Sequence, residues 1–300
     1  LSPPAFPIPL SRPMFLRATH LTRYTYSQPV SFAPHALYLR PRETPRQRLH
    51  NFSLTLEPAA KLIATGDASE NSLDWAYYPP NATFSSLEIH TAFLVETLDH
   101  NPFDFFLTPA ATTYPFAYSG ADRFILSPEL TPPAADAVPA LRSWLAQHLP
   151  VLPAETLTLL TNLNTSIRNS LRYTRREEPG IQPAAATLAL GSGSCRDYAV
   201  LFIALCRHLG LAARFVSGYL YEAPSADGSP TLSPAMHAWA EVYLPGAGWR
   251  ALDPTRGIFC DDAFVPVAHA ALAETVNPVQ GGFYGQAAST LHNEITLEKL

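Results

Sequence analysis

Gly191-Ser-Gly-Ser-Cys-Arg-Asp-Tyr198 is the stretch on which the fold turns. Ser194 is a favourable helix N-cap, and Asp197, three residues on, completes the capping-box spacing ahead of an apolar run. Tyr198, Leu201, Phe202, Leu205 and Leu209 then recur at helical spacing, and Gly210 is a natural stop. Val200, Ile203 and Ala204 make the segment apolar nearly all round, which predicts a buried, central helix over residues 195–209. Cys195 falls at its first helical position. There the backbone N–H groups lack partners and the macrodipole favours an anion, so thiolate is favoured over thiol. The same N–H groups can hold an oxyanion on a substrate carbonyl, and the preceding glycines let a substrate backbone approach. Taken alone, a cysteine is more often a small buried hydrophobe. Cys206, mid-helix among apolar residues, reads that way. It sits about three turns and ~16 Å from Cys195, too far for a disulfide. Cys260, in Phe259-Cys-Asp-Asp262, falls in an expected loop with no partner.

Working outward, His237-Ala-Trp-Ala-Glu-Val-Tyr-Leu244 alternates strictly, so His237, Trp239, Glu241 and Tyr243 share one face of a strand. Pro245-Gly-Ala-Gly248 is a turn, and Trp249-Arg-Ala-Leu-Asp-Pro254 returns as a second strand that Pro254 ends. If Leu244 pairs with Gly248, Asp253 falls opposite Trp239 and becomes a same-face diagonal neighbour of His237. A one-residue slip would turn Asp253 to the other face. A carboxylate on one imidazole nitrogen fixes the tautomer and stabilises the imidazolium, and the other nitrogen can take a thiol proton. Singly, His237 reads as a satisfied structural histidine and Asp253 as a turn-forming Asp-Pro. A cysteine at a helix start, a histidine at a strand start and an aspartate at the end of the next strand are three separate coincidences, and together they favour catalysis.

Upstream, residues 15 to about 98 read as short strands: Phe15–Tyr26, His35–Leu39, Leu49–Leu56, Leu73–Tyr78 and Leu87–Val95, separated by Pro, Gly, Asn and Asp clusters. This succession predicts an antiparallel sheet or sandwich. His20, His35, His50 and His90 are scattered through it and read as structural. Residues 100–135 form a connection, and from Ala134 the period becomes helical, with Leu141, Trp144, Leu145 and then Leu160, Leu163, Ile167 on apolar faces. A strand is expected at 213–221. The tail from 258 is ambiguous, with Gly281, Gly282 and Gly285 marking a loop before a short strand near Ile295.

With 300 residues, 47% of them hydrophobic and 15% charged, the chain can bury a sizeable core. A net charge of -5 argues against nucleic acid as a partner. Three cysteines make no disulfide framework, and no run of eighteen apolar residues is present, so a reducing, cytoplasmic location without a membrane span is expected. Residues 1–17 carry several prolines and lack the pattern of a signal peptide. No Cys-x-x-Cys or His-Glu-x-x-His occurs, nor the spacing of a calcium loop, so neither metal nor cofactor is expected.

Four blocks, Gly193-Ser-Cys-Arg-Asp-Tyr-Ala199, Arg214-Phe-Val-Ser-Gly-Tyr219, His237-Ala-Trp-Ala-Glu-Val-Tyr243 and Gly248-Trp-Arg-Ala-Leu-Asp-Pro-Thr255, resemble in order and spacing the transglutaminase-like core of bacterial proteins. His20-Leu-Thr-Arg-Tyr-Thr-Tyr-Ser-Gln-Pro-Val30 and His35-Ala-Leu-Tyr-Leu-Arg-Pro-Arg42 resemble the N-terminal region of the same group. The resemblance implies an α+β fold: a papain-like, transglutaminase-like core preceded by an antiparallel β-sandwich domain. The expected division is 14–125 for the sandwich and 130–300 for the core, with its motifs within 155–258. By motif match the resemblance assigns nucleophile to Cys195, base to His237 and orienting carboxylate to Asp253. It also implies an upstream aromatic as second oxyanion donor, for which Tyr173 and Trp144 are the candidates.

The expected chemistry is acyl transfer from a peptide or protein amide through a thioester. Water as acceptor makes a protease or amidase. A protein amine makes a cross-linking acyltransferase, and a small amine makes a transferase. Hydrolysis is favoured because water needs no dedicated second site. A binding protein on the same fold would ordinarily have lost part of the triad. An arylamine N-acetyltransferase would share the triad order, but the blocks around Cys195 and His237 fit it less well. The oligomeric state is not encoded in any feature of the sequence.

Overall fold

The computed structural model describes residues 13–98, 101–176, 180–223 and 236–300. The proline-rich start, residues 1–12, lies outside them. Six strands come first: β1 (Met14–Phe32), β2 (His35–Leu37), β3 (Gln47–Glu57), β4 (Lys61–Gly66), β5 (Ser72–Tyr77) and β6 (Phe84–Thr97). A connection follows with one short helix, α1 (Gly120–Ile125), then α2 (Val138–His148) and α3 (Thr156–Ser170). Next come β7 (Arg172–Tyr173), α4 (Ala184–Leu190), β8 (Ser192–Gly193) and α5 (Cys195–His208). The chain continues through β9 (Ala213–Leu220), β10 (Met236–Leu244), β11 (Gly248–Asp253), β12 (Ile258–Phe259) and β13 (Phe264–Ala270). It ends with β14 (Val279–Gln280), β15 (Phe283–Tyr284) and β16 (Ser289–Lys299).

The front unit is a sandwich of two antiparallel sheets. One has the order β15-β1-β6-β3 with β16 also on β1, and the other runs β14-β2-β5-β4. Tyr26, Val30, Leu37, Leu56, Ala76, Leu87 and Ile89 fill the space between them, as expected where alternate residues of each strand point inward. The second unit is a five-stranded antiparallel sheet, β12-β11-β10-β9-β13, with α5 packed against β9 and β10. The helix is buried as its all-round apolar sequence predicts: Leu201, Phe202, Leu205 and Cys206 have no exposed surface.

The two units share one core. The first half of β1 alternates Leu16, Ala18 and His20 inward, and these with Phe93 and Val95 of β6 meet Tyr219, Val265 and Ala268 of the second sheet. Polar contacts fix the same seam. Asn71, fully buried, receives the His269 N–H at 2.8 Å and donates to the His269 carbonyl at 2.8 Å, acting as a stand-in strand for one residue of β13. Gln47 Nε2 donates to Pro266 O at 3.0 Å, and Thr97 Oγ1 to Asp262 O at 2.7 Å.

The tail departs from the expected division. Residues 279–299 join the front sheets and not the core sheet: β14 pairs with β2, β15 with β1, and β16 pairs with β1 along eleven residues from Tyr26↔Ser289 to Leu16↔Lys299. β16 is mostly exposed and polar, so its apolar pattern is too weak to show which sheet it would join. The four scattered histidines take structural partners: His20 meets the Tyr219 hydroxyl, His35 a backbone carbonyl, His50 Glu96 and His90 Glu88. Among the described residues no helix is long and apolar enough to cross a membrane.

Candidate active site

Ser194 and Asp197 close the predicted capping box at the start of α5. Asp197 Oδ2 accepts from the Ser194 N–H and hydroxyl, each at 2.8 Å, and its carboxylate also receives Gln182 N–H at 2.8 Å and Arg176 at 3.2 Å. Burial by itself would raise this carboxyl. The donors outweigh burial and hold it ionised below its ordinary range. Gly193 is needed for space, since a Cβ there would lie 2.8 Å from Asp197 Cβ. Asp197 is therefore the anchor of the helix start. It sets the position of Cys195 and is not itself aimed at a substrate.

The hairpin β10–β11 adopts the expected register, with Leu244 opposite Gly248 and Ala240 opposite Leu252. That register carries Asp253 to the side of His237. His237 Nε2 lies 2.9 Å from Asp253 Oδ2, and the carboxylate is fully buried. Its second oxygen accepts from Thr255 N–H at 2.8 Å and Thr255 Oγ1 at 2.7 Å, so both oxygens are fixed. Arg256 lies over the same carboxylate, its Nε 3.7 Å from Oδ2, and pairs with Glu222.

With Nε2 committed to Asp253, Nδ1 is the ring nitrogen left for Cys195, whose sulfur hydrogen-bonds the His237 side chain. Burial pushes the imidazolium down. The hydrogen bonds and charges of Asp253 and Cys195 overcome this and raise His237 to about 10. Burial likewise pushes the Cys195 thiol up, but the His237 hydrogen bond and charge, with the Ala238 N–H, bring it below its ordinary value. Both shifts run in the direction of a thiolate beside an imidazolium. Cys206 is the opposite case: burial without a partner raises its thiol far above the usual range.

Tyr173, on β7 beside β8, hydrogen-bonds Cys195 through its hydroxyl while its ring remains half exposed. Burial of the hydroxyl, with the neighbouring thiol, pushes it up to about 12, so it stays a proton donor. Of the two aromatic candidates, then, Tyr173 reaches the cysteine. Trp144 is buried in α2 and spends its N–H on Ser170 Oγ at 3.2 Å. Two features escaped the sequence reading. The Ala238 N–H on the sulfur is a backbone contact with no side-chain signature. Gly218, whose Cα partners His237 across β9–β10, is needed because a Cβ would sit 2.2 Å from Val265 O and 2.6 Å from the Trp239 ring. A glycine inside a strand was the available signal for that close approach. Among the described residues no group of three or more His, Cys, Asp or Glu is placed to hold a metal.

Comparison with known proteins identifies the fold and the family. A solved structure of a candidate cysteine protease from Cytophaga hutchinsonii superposes with a TM-score of 0.72 at 20% identity, covering 97% of this chain and 92% of that one, and shares the fold. An uncharacterised Mycobacterium tuberculosis protein is 28% identical over 294 residues, covering 95% of this chain and 92% of its own length. A Mycobacterium leprae relative, also uncharacterised, is 24% identical over 289 residues. The fold is that of papain-like, cysteine-based enzymes. The chain carries a core of the Transglutaminase-like superfamily over residues 129–254, preceded by a bacterial transglutaminase-like N-terminal region over residues 16–96.

Proposed function

We propose that this protein is a cysteine-nucleophile enzyme that cleaves a peptide or protein amide through a thioester on Cys195, with water as acceptor. The observation that carries this is the Cys195–His237–Asp253 hydrogen-bonded chain at the start of a buried helix. The Cys195 thiolate attacks the amide carbonyl carbon. The developing oxyanion is met by the free N–H groups of the first turn of α5 and by the Tyr173 hydroxyl. Protonated His237 gives its proton to the departing amine as the C–N bond breaks, leaving a thioester and a neutral imidazole. His237 then takes a proton from water, hydroxide adds to the thioester carbonyl, and the thiolate leaves with a carboxylic acid as product. Asp253, buried and doubly held, keeps the ring oriented and its cation stable throughout.

The acceptor is the finer part of this reading, and it is separable. Incubation with a peptide library and a labelled primary amine, read by mass, should give cleavage without label. Label in the product would instead assign acyl transfer to an amine. Loss of neither activity in Cys195→Ala would reject the mechanism altogether.

A further inference from the structure

The front sandwich holds a cavity of about 350 Å³ that the catalytic chemistry does not use, with Tyr24, Tyr26, His35, Gly282, Phe283 and Ser289 in its wall. It lies where β1 changes partner. The β16 pairing ends at Tyr26↔Ser289, the β15 pairing begins at Ser31↔Tyr284, and the β1–β6 register shifts between Thr25 and Val30. An irregularity of this kind bends a strand, and here it parts the two sheets.

The wall is aromatic, and its polar groups are uncommitted. The rings of Tyr26 and Phe283 meet edge-on with centroids 4.9 Å apart. His35 is held edge-on by Phe32 and Tyr78, and a Cβ on Gly281 would lie 2.2 Å from its ring, so that glycine makes room for it. His35 Nδ1 lies 2.8 Å from Ala33 O. A carbonyl only accepts, so Nδ1 carries the ring proton and Nε2 is an acceptor. Burial lowers the His35 pKa and keeps the ring neutral. Nε2 and the hydroxyls of Tyr24, Tyr26 and Ser289 make no hydrogen bond to any described residue. Yet His35 is only 5% exposed and Tyr26 only 7%. Burial and the neighbouring Tyr24 push the Tyr26 hydroxyl up to about 12, so it stays a proton donor. Burying such groups is costly unless something bonds them. No lysine, arginine, aspartate or glutamate stands in the wall.

From this wall we infer that the cavity binds an uncharged pyranose sugar unit. The C–H face of the sugar lies on the Tyr and Phe rings, and its hydroxyls meet His35 Nε2, Tyr24, Tyr26 and Ser289. Each sugar hydroxyl both donates and accepts, which suits a wall holding one pure acceptor and three hydroxyls. A phenol or an alkyl chain would leave most of these groups unbonded. A charged ring would lose hydration and find no counter-ion. The volume is that of a small-ligand site.

The test is saturation-transfer NMR on the whole protein with the methyl glycosides of glucose, galactose and mannose, their uronic acid counterparts, and p-cresol. At least one neutral glycoside should bind with a Kd of about 1 mM, the affinity that about a dozen non-hydrogen atoms supply. Its uronic acid counterpart should bind more weakly. Y26F removes one hydroxyl, keeps the ring and should weaken binding about fivefold. G282L places a side chain in the wall at a position where a Cβ meets nothing within 4 Å, so it should abolish binding with Tm unchanged. The bound sugar should leave the rate of Cys195 alkylation by iodoacetamide as it was. Binding by none of the three glycosides, binding of p-cresol alone, or parental affinity in both variants overturns the inference. Slower alkylation of Cys195 would do so too, by placing the sugar at the other site.

Discussion

Replacing Gly218 with alanine adds one methyl group at the point where three strands and His237 meet. Gly218 does not have a left-handed backbone, so the residue is required for space and not for conformation. The new Cβ would lie 2.2 Å from Val265 O on β13, and 2.6 Å and 3.1 Å from two atoms of the Trp239 ring on β10. Ordinary contact requires about 1 Å more separation on both sides. A backbone carbonyl in a paired strand cannot swing away, so β13 must part from β9 or the Trp239 ring must slide. That ring stacks on His237, with centroids 6.2 Å apart, and His237 is the Cα partner of Gly218. Overpacking of this kind costs about 1–3 kcal/mol, which at this chain length lowers Tm by about 2–5 °C. A displacement of about 1 Å at the imidazole costs about 100-fold in kcat/KM. Thermal unfolding and turnover of a peptide amide by the same preparation give both numbers. Retention of both Tm and kcat/KM at the parent values would refute the reasoning, because it would mean that the spacing of β9 to its neighbours does not position the histidine.

Asp253→Asn keeps the shape but removes the charge that supports the His237 cation. The alkaline limit of activity, set by His237 at about 10, should move down, and kcat/KM should fall by about 10²–10⁴. The stability effect has a definite sign. The folded-state value of His237 lies above its unfolded ~6.5, so its contribution is fully present below that pH and is lost as pH rises through about 10. The Tm difference between parent and Asp253→Asn should therefore narrow toward pH 10. Tyr173→Phe removes the hydroxyl proposed to meet the oxyanion and should lower kcat by about 10²-fold with little change in KM, whereas a loss confined to KM would make Tyr173 a binding residue. Asn71→Ala leaves the buried His269 N–H and C=O unpaired, so unfolding should be easier by about 1–3 kcal/mol while the alkylation rate of Cys195 is retained.

Much of this site was legible because its signals are local. The capping box at Ser194 and Asp197 is a four-residue pattern, and the β10–β11 register follows from a short turn and strict alternation on either side of it. Both are satisfied by neighbours in the chain, so the sequence reads them directly. The parts that stayed hidden depend on distant partners. β4 (Lys61–Gly66) has almost no buried face, and it is a strand only because β5 pairs with it. α4 (Ala184–Leu190) is short and nearly all alanine and leucine, with no period to count. β16 finds β1 across more than 260 residues, carrying only Ile295 as a buried apolar residue. The resemblance supplied an aromatic donor but could not choose between Tyr173 and Trp144. That choice is made by β7 pairing with β8, two residues against two, which no propensity would reveal.

The central claim is that Cys195 rests as a thiolate held by His237, and the pH dependence of its alkylation tests this most directly. Iodoacetamide labelling, with the modified cysteine identified by mass, should proceed at a rate nearly constant between about pH 6 and pH 9, because His237 and the Ala238 N–H hold the thiol below the ~8.5 of a free cysteine. A rate that instead climbs about tenfold per pH unit toward 8.5 would show an ordinary thiol at position 195 and contradict the account.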